Sequence, residues 1–222
     1  MLTLQNLSLQ LDGKDILRQL NYSFQQGRFY LLSGDNGCGK SSLLKLICGA
    51  VKPTNGQITH RTRGNERAYL AQQSSLDTSF PINVVQAVSA GLWQRIGWRR
   101  ALGAPERRAL QEALQAVGLT EMADSPLGAL SGGQLQRLRF ARTLLQDAKF
   151  ILLDEPFNAV DQQTREHLLS LLWQRHRQGV TVLLVSHDCA LKSDDDFIQL
   201  RLVEGELSEL SPAPSVCEVI AC

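Results

Sequence analysis

The sequence predicts an α/β fold: a parallel sheet covered by helices on both faces, preceded by further strands and interrupted by a helical insertion. Three observations predict it. Short, largely apolar runs at Phe29–Leu32, Lys149–Leu153 and Val180–Val185 have strand length and the near-continuous hydrophobicity of strands buried on both faces. Helical stretches at Ser41–Cys48 and Gln163–Arg177 alternate with those runs, the pattern that builds a parallel sheet. From about residue 76 to residue 146 the chain turns mostly helical, so a block of helices is inserted within the α/β core.

The elements follow in order. Leu2, Leu4, Leu7, Leu9 and Leu11 alternate in a mixed phase, and Asp12-Gly13 signals a turn. A second strand pattern covers Leu20–Phe24, and Gln26-Gly27 turns the chain into Phe29–Leu32. Strand-like pieces recur at Gln57–His60 and Ala68–Ala71. The helical block shows its clearest periods at Val84–Leu92, Pro105–Val117 and Gly133–Leu145. Pro105 suits a first helical turn, and Gly118 suits a helix end. Strands at Phe197–Leu202 and Glu206–Leu210 close a single domain spanning residues 1–222.

Composition narrows the function classes. Lys plus Arg (23) nearly balances Asp plus Glu (22), which gives no reason to expect a nucleic-acid partner. Trp93, Arg95, Trp98, Arg99 and Arg100 do form a basic, aromatic patch; a docking face or a solvated surface is the preferred reading. No apolar run reaches the roughly 18–20 residues of a membrane span. The first residues lack the basic start and apolar stretch of a signal peptide. The expectation is a chain in the cytosol or on the cytosolic face of a membrane. Cys38, Cys48, Cys189, Cys217 and Cys222 fit neither a zinc ribbon nor a disulfide framework, so free thiols are expected.

Gly34-Asp35-Asn36-Gly37-Cys38-Gly39-Lys40-Ser41, followed by Ser42, matches the pattern G-x-x-x-x-G-K-[ST] between a predicted strand and a predicted helix. Glycines there let backbone N–H groups turn inward around phosphate oxygens, and the helix N-terminus adds positive potential. Lys40 can reach the β- and γ-phosphates, and Ser41 can coordinate Mg²⁺. Further on, an apolar strand delivers Asp154 and Glu155 at its carboxyl end, where ligands bind in open α/β sheets. Asp154 would hold Mg²⁺, and Glu155 would polarise an attacking water. Alone, the pair would read as a solvated turn before Pro156; the upstream loop argues against that. His187 also follows a strand, placed to contact a γ-phosphate or to hold the water. His60, His167 and His176 read as surface residues. Leu130-Ser131-Gly132-Gly133-Gln134 is a small-residue turn into a helix, a second anion-binding helix end.

Together these motifs resemble the nucleotide-binding subunit of ABC transporters across essentially the whole chain. The resemblance implies a P-loop NTPase (RecA-like) core, with an N-terminal antiparallel β subdomain and a helical subdomain at about residues 76–146. Gly34–Ser41 is similar to the Walker A motif, Asp154 and Glu155 to Walker B, and Leu130–Gln134 to the signature motif. Asp161 looks like the D-loop aspartate and His187 like the switch histidine; Gln72 fits the Q-loop glutamine and Mg²⁺ ligand, with Gln73 as the alternative. ATP and Mg²⁺ are the implied cofactors. The implied partners are a second copy, joined so that each ATP touches Lys40 of one chain and Ser131 of the other, integral membrane permease subunits, and an extracytoplasmic substrate-binding protein.

Two positions depart from the family pattern. Leu11 stands where the family usually stacks an aromatic on adenine, with no aromatic before Tyr22. Asp35 stands where proline is common, and its carboxylate should point away from phosphate. Ser74–Ile82, Gly97-Trp98-Arg99-Arg100 and the Asp154–Asp161 run, with Phe157, are similar to the zinc and manganese uptake branch, which also holds iron transporters. Competing classes are weaker. A repair ATPase needs a long coiled coil, a translation ATPase usually has two cassettes, and a P-loop kinase has no use for Leu130–Gln134. A regulator without turnover would not need Glu155 and His187.

Overall fold

The computed structural model describes residues 2–60, 66–72, 78–97, 99–186, 191 and 196–210. The structure opens with β1 (Leu2–Leu11) and β2 (Lys14–Phe24), antiparallel about a two-residue turn in which Asp12 and Gly13 both have positive φ. The mixed phase of the leucines has a local cause. Asn6 sits at φ 47°, and the register shifts between Leu4 and Leu7. That bulge moves the inward face from even to odd positions, so Leu2, Leu4, Leu7 and Leu9 are all buried. The odd phase then fails at the hairpin tip, where Leu11 is 46% exposed. β2 begins six residues before the predicted strand, because Lys14, Asp15, Arg18 and Gln19 face solvent and hid it. With β4 (Asn55–His60) these strands form a three-stranded sheet in the order β2-β1-β4.

The second sheet holds β3 (Phe29–Ser33), β5 (Arg67–Leu70), β6 (Phe150–Asp154), β7 (Thr181–Val185), β8 (Ile198–Val203) and β9 (Glu206–Leu210). Its order is β5-β6-β7-β3-β8-β9, parallel throughout except for the β8–β9 hairpin. Every residue of β6 and β7 is buried. Strand alternation divides the side chains between two cores. Leu31, Ile151, Leu153, Val182 and Leu184 face one; Tyr30, Leu32, Leu152, Leu183 and Val185 face the other.

α1 (Lys40–Cys48) and the antiparallel sheet close the second core. The first is closed by α6 (Gln162–Arg177) and by the helices between β5 and β6. Those are α2 (Val84–Ser89), α3 (Trp93–Ile96), α4 (Ala104–Ala116) and α5 (Gly132–Leu145). Pro105 does stand in the first turn of α4, and Asn83 caps α2 reciprocally with Gln86. The helix predicted as continuous to Leu92 instead tightens into a 3₁₀ turn at Ala90–Leu92, where Gly91 lies against the Arg142 carbonyl of α5. Because β5 and β6 are neighbours, this helical segment leaves and re-enters the sheet at one edge.

Two histidines differ from the expectation of surface placement. His176 packs edge-on against Phe29 and Trp173, whose rings stack at 4.2 Å. His60 is half-buried beside Arg67, and burial, then that guanidinium, lower its pKa. His167 is exposed as expected. Among the described residues no helix is long and apolar enough to cross a membrane.

Candidate active site

Parallel strands β3, β5, β6 and β7 end on the same edge of the sheet, so the segments that follow them converge. β3 delivers the loop 34–39, β5 delivers Gln72, and β6 delivers Asp154 and Glu155. The result is one cleft lined by Ile16, Asn36, Gly37, Gly39, Lys40, Ser41, Ser42, Gln72, Asp154 and Glu155. Nine of these ten were legible as motif residues; Ile16 was not.

The loop is built to hold an anion. Gly39 precedes α1 at φ 107° and offers no side-chain cap, so the first N–H groups of that helix stay open toward the cleft. Lys40 is nearly buried, and its Nζ donates to the carbonyls of Gly34 and Asp35 at 2.8 Å each. An ammonium has three donors; the third meets only the weak acceptor Cys38 Sγ at 4.0 Å and can turn to a phosphate oxygen. Asp35 is exposed and does not line the cleft, the outward placement expected for it. Cys38 turns its sulfur inward, against the second core and 4.0 Å from Lys40 Nζ.

Opposite the loop, Asp154 is 2% and Glu155 8% exposed. Glu155 holds φ 50°, a left-handed conformation, while its N–H donates to the Val185 carbonyl at 3.0 Å and so extends the sheet ladder by one residue. Tyr69, on β5, donates its hydroxyl to Asp154 Oδ2 at 3.4 Å. Burial, then the neighbouring Asp154 carboxylate, push the Tyr69 phenol up, so it remains a donor. Its signal in the sequence, a tyrosine inside an alternating strand, is indistinguishable from core packing.

Residues 130–134 do not line this cleft. Ser131 caps α5: its Oγ accepts from Gln134 N at 3.2 Å, and Gln134 Oε1 accepts from Ser131 N at 2.8 Å. The Gln134 side chain is thereby committed to the cap and to Met122 Sδ. Two donors of the predicted anion site are thus used within the chain, leaving the Ser131 hydroxyl proton and the exposed Gly132 to face outward, while Gly133 packs on the Ala159 carbonyl. Asp161 caps α6 through Thr164 N at 2.8 Å and Thr164 Oγ1 at 2.7 Å, which lowers its pKa, the backbone bond most. Gln73, His187 and Trp98 lie outside the described residues.

The chemistry of the cleft is that of a nucleotide triphosphatase: a phosphate-holding loop faces two buried carboxylates. The family described as "ABC transporter" matches residues 17–158. The chain belongs to the ABC transporter family. It is the ATP-binding, ATP-hydrolysing subunit type, and cassettes of this family dimerise and work with membrane permease partners.

Individual ABC proteins align over nearly its full length. The zinc transport system ATP-binding protein AdcC of Streptococcus pneumoniae is 34% identical over 212 residues, covering 92% of this chain and 91% of that protein. The manganese transport system ATP-binding protein MntB of Halalkalibacterium halodurans is 32% identical over 217 residues, covering 95% and 86%. Among solved structures, a dimeric ATP-binding cassette in a post-hydrolysis state, bound to ADP and Pi, superposes with a TM-score of 0.84 at 25% identity, covering 96% of this chain and all of that one.

Proposed function

We propose that this chain energises uptake of a divalent metal ion, zinc or manganese, through a membrane permease. The observation that carries the reading is the near end-to-end match to cassettes named for zinc and manganese transport. A single domain over residues 1–222 serves as the motor. Its helical subdomain, at about residues 76–146, docks the permease at the cytoplasmic face of the membrane, where Phe80 and Trp93 present exposed rings. An extracytoplasmic substrate-binding protein completes the system.

Two copies bind two ATP molecules head to tail. Gly34–Ser42 of one chain holds the triphosphate, and Leu130–Gln134 of the other chain closes on it. The placement of Ser131 outside its own chain's cleft supports this division. Glu155 takes the proton of the attacking water, with His187 beside the γ-phosphate. Asp161 lies at the junction between the copies. Ser41, Gln72 and Asp154 offer hard oxygen donors lining the same cleft, a set that fits Mg²⁺ sharing its shell with phosphate and water. When bound, Mg²⁺ neutralises charge on the phosphates. Two adjacent carboxylates cannot form an all-protein cage, and among the described residues no group of three or more His, Cys, Asp or Glu could hold a metal ion.

The test is transport. The cassette and its permease, reconstituted in vesicles with an entrapped metal indicator, should accumulate zinc or manganese only when ATP is supplied. ATP hydrolysis with no flux of either ion would sink the substrate assignment while leaving the ATPase intact.

The base-binding end gives a second prediction. Leu11 is exposed at the hairpin tip, and Ile16 forms an aliphatic wall of the cleft. Tyr22 cannot substitute: its hydroxyl donates to Glu209 at 2.8 Å and its ring packs on Phe24 and Tyr30. Aromatic stacking adds about 1–3 kcal/mol per base. Without it, Kd values for ATP and GTP should lie closer together than in a cassette with an aromatic at that position. A strong preference for ATP, measured by nucleotide titration, would mean that another residue reads the base.

A further inference from the structure

Gln136 lies in α5, five residues after Ser131, and is buried at 4% exposure. Its Nε2 donates to the Pro156 carbonyl at 2.7 Å, one residue past Glu155. A buried amide with a short bond to one carbonyl of a loop fixes that loop far better than apolar packing does, because breaking the bond leaves the carbonyl without its partner. The same helix touches the same loop again. A Cβ on Gly133 would stand 2.8 Å from the Ala159 carbonyl, so the start of α5 lies directly on the loop backbone. At these two contacts the loop holds non-glycine residues at positive φ: Glu155, just before the first, at 50°, and Ala159, at the second, at 63°. Such conformations persist where surrounding contacts over-determine them. Here α5 supplies two such contacts, beside the bond from Glu155 N to the Val185 carbonyl.

We propose that Gln136 is a positioning residue for the hydrolytic base: it ties the helix that begins at Ser131 to the loop that aims Glu155. Ser131 faces the partner's nucleotide and Glu155 the chain's own, so the strut links the two nucleotides through one buried hydrogen bond. When the partner's ATP draws Ser131 and α5 into place, Pro156 and with it Glu155 are set for attack. The inference rests on the reading of Glu155 as base and Ser131 as a contact made across the dimer.

Gln136→Met keeps the length of the side chain and removes the donor. We expect kcat, counted per ATP-binding site, to fall about 10- to 100-fold, the scale on which a small displacement of a catalytic group acts. KM for ATP should stay within about twofold, because Lys40 and the phosphate loop are untouched. Gln136→Glu supplies the reading that packing alone would not move. The introduced carboxyl group can donate to Pro156 O only when protonated, and burial raises its pKa. The ratio of its kcat to that of the natural protein should therefore climb as pH falls from about 8.5 to about 6. A flat ratio, or wild-type kcat in Gln136→Met, overturns the proposal. If Gln136→Met does not fold, the pH ratio of the isosteric Gln136→Glu decides. Glu155→Gln in the same assay separates the two levels. Loss of turnover there with normal Gln136→Met sinks only the strut, whereas retained turnover in Glu155→Gln sinks the assignment of the base.

Discussion

Glu155→Gln is expected to lower ATP turnover by about 10²- to 10⁴-fold, the range associated with losing a positioned general base. The substitution keeps the shape of the side chain and removes its ability to take a proton. Shape matters here, because Glu155 is 8% exposed and sits at φ 50° with its N–H in the sheet ladder. A smaller residue would disturb the loop and confuse chemistry with folding. Lys40, Ser41 and the open start of α1 are unaffected, so ATP should bind as before. With binding intact and hydrolysis blocked, the ATP-bound dimer should accumulate. Size-exclusion chromatography with Mg²⁺ and ATP should show the dimer, and without nucleotide the monomer. Persistent turnover would remove Glu155 from its role. A blocked enzyme that stays monomeric with ATP would remove the shared site instead.

The sheet and the phosphate loop were legible in the sequence for the same reason: both are local patterns. β3, β6 and β7 are continuous apolar runs because both their faces are covered, and the loop is a fixed spacing of glycines, lysine and serine. The remainder depends on contacts between distant segments. Ile16 reaches the cleft only because the first hairpin folds over Gly39, whose Cβ would meet Ile16 and Leu17 at about 3 Å. Tyr69 and Gln136 act through a carboxylate 85 residues away and a carbonyl 20 residues away. Neither residue type nor spacing marks such a bond in advance. Gln134 shows the opposite case. The motif marks it by spacing alone, and only the structure shows that its side chain also closes the cap of its own helix.

Gly34→Ala is expected to damage both stability and nucleotide binding. Gly34 follows β3 at φ 151°, against the neighbouring strand β8. A Cβ there would lie 2.3 Å from the Leu202 carbonyl and 2.8 Å from Cys38 Sγ. Leu202 is fully buried in β8, so its backbone cannot retreat without opening the second core. The loop must move instead, and the Gly34 carbonyl that holds Lys40 Nζ moves with it. A buried clash of this kind belongs with the severe substitutions, about 3 kcal/mol or more. In a chain of this size that lowers the unfolding midpoint by about 6–12 °C. ATP affinity should fall at least about 100-fold as the lysine and the loop N–H groups lose their common focus. Gly37→Ala is the contrast within the same loop. Gly37 also has positive φ, 82°, but nothing lies within 4 Å of its Cβ position. Only backbone strain applies there, about 1–2 kcal/mol. Thermal unfolding of the two variants should therefore rank Gly34→Ala well below Gly37→Ala. Equal midpoints would show that the loop is free to shift away from β8, and that close packing against the sheet is not what holds the phosphate site in shape.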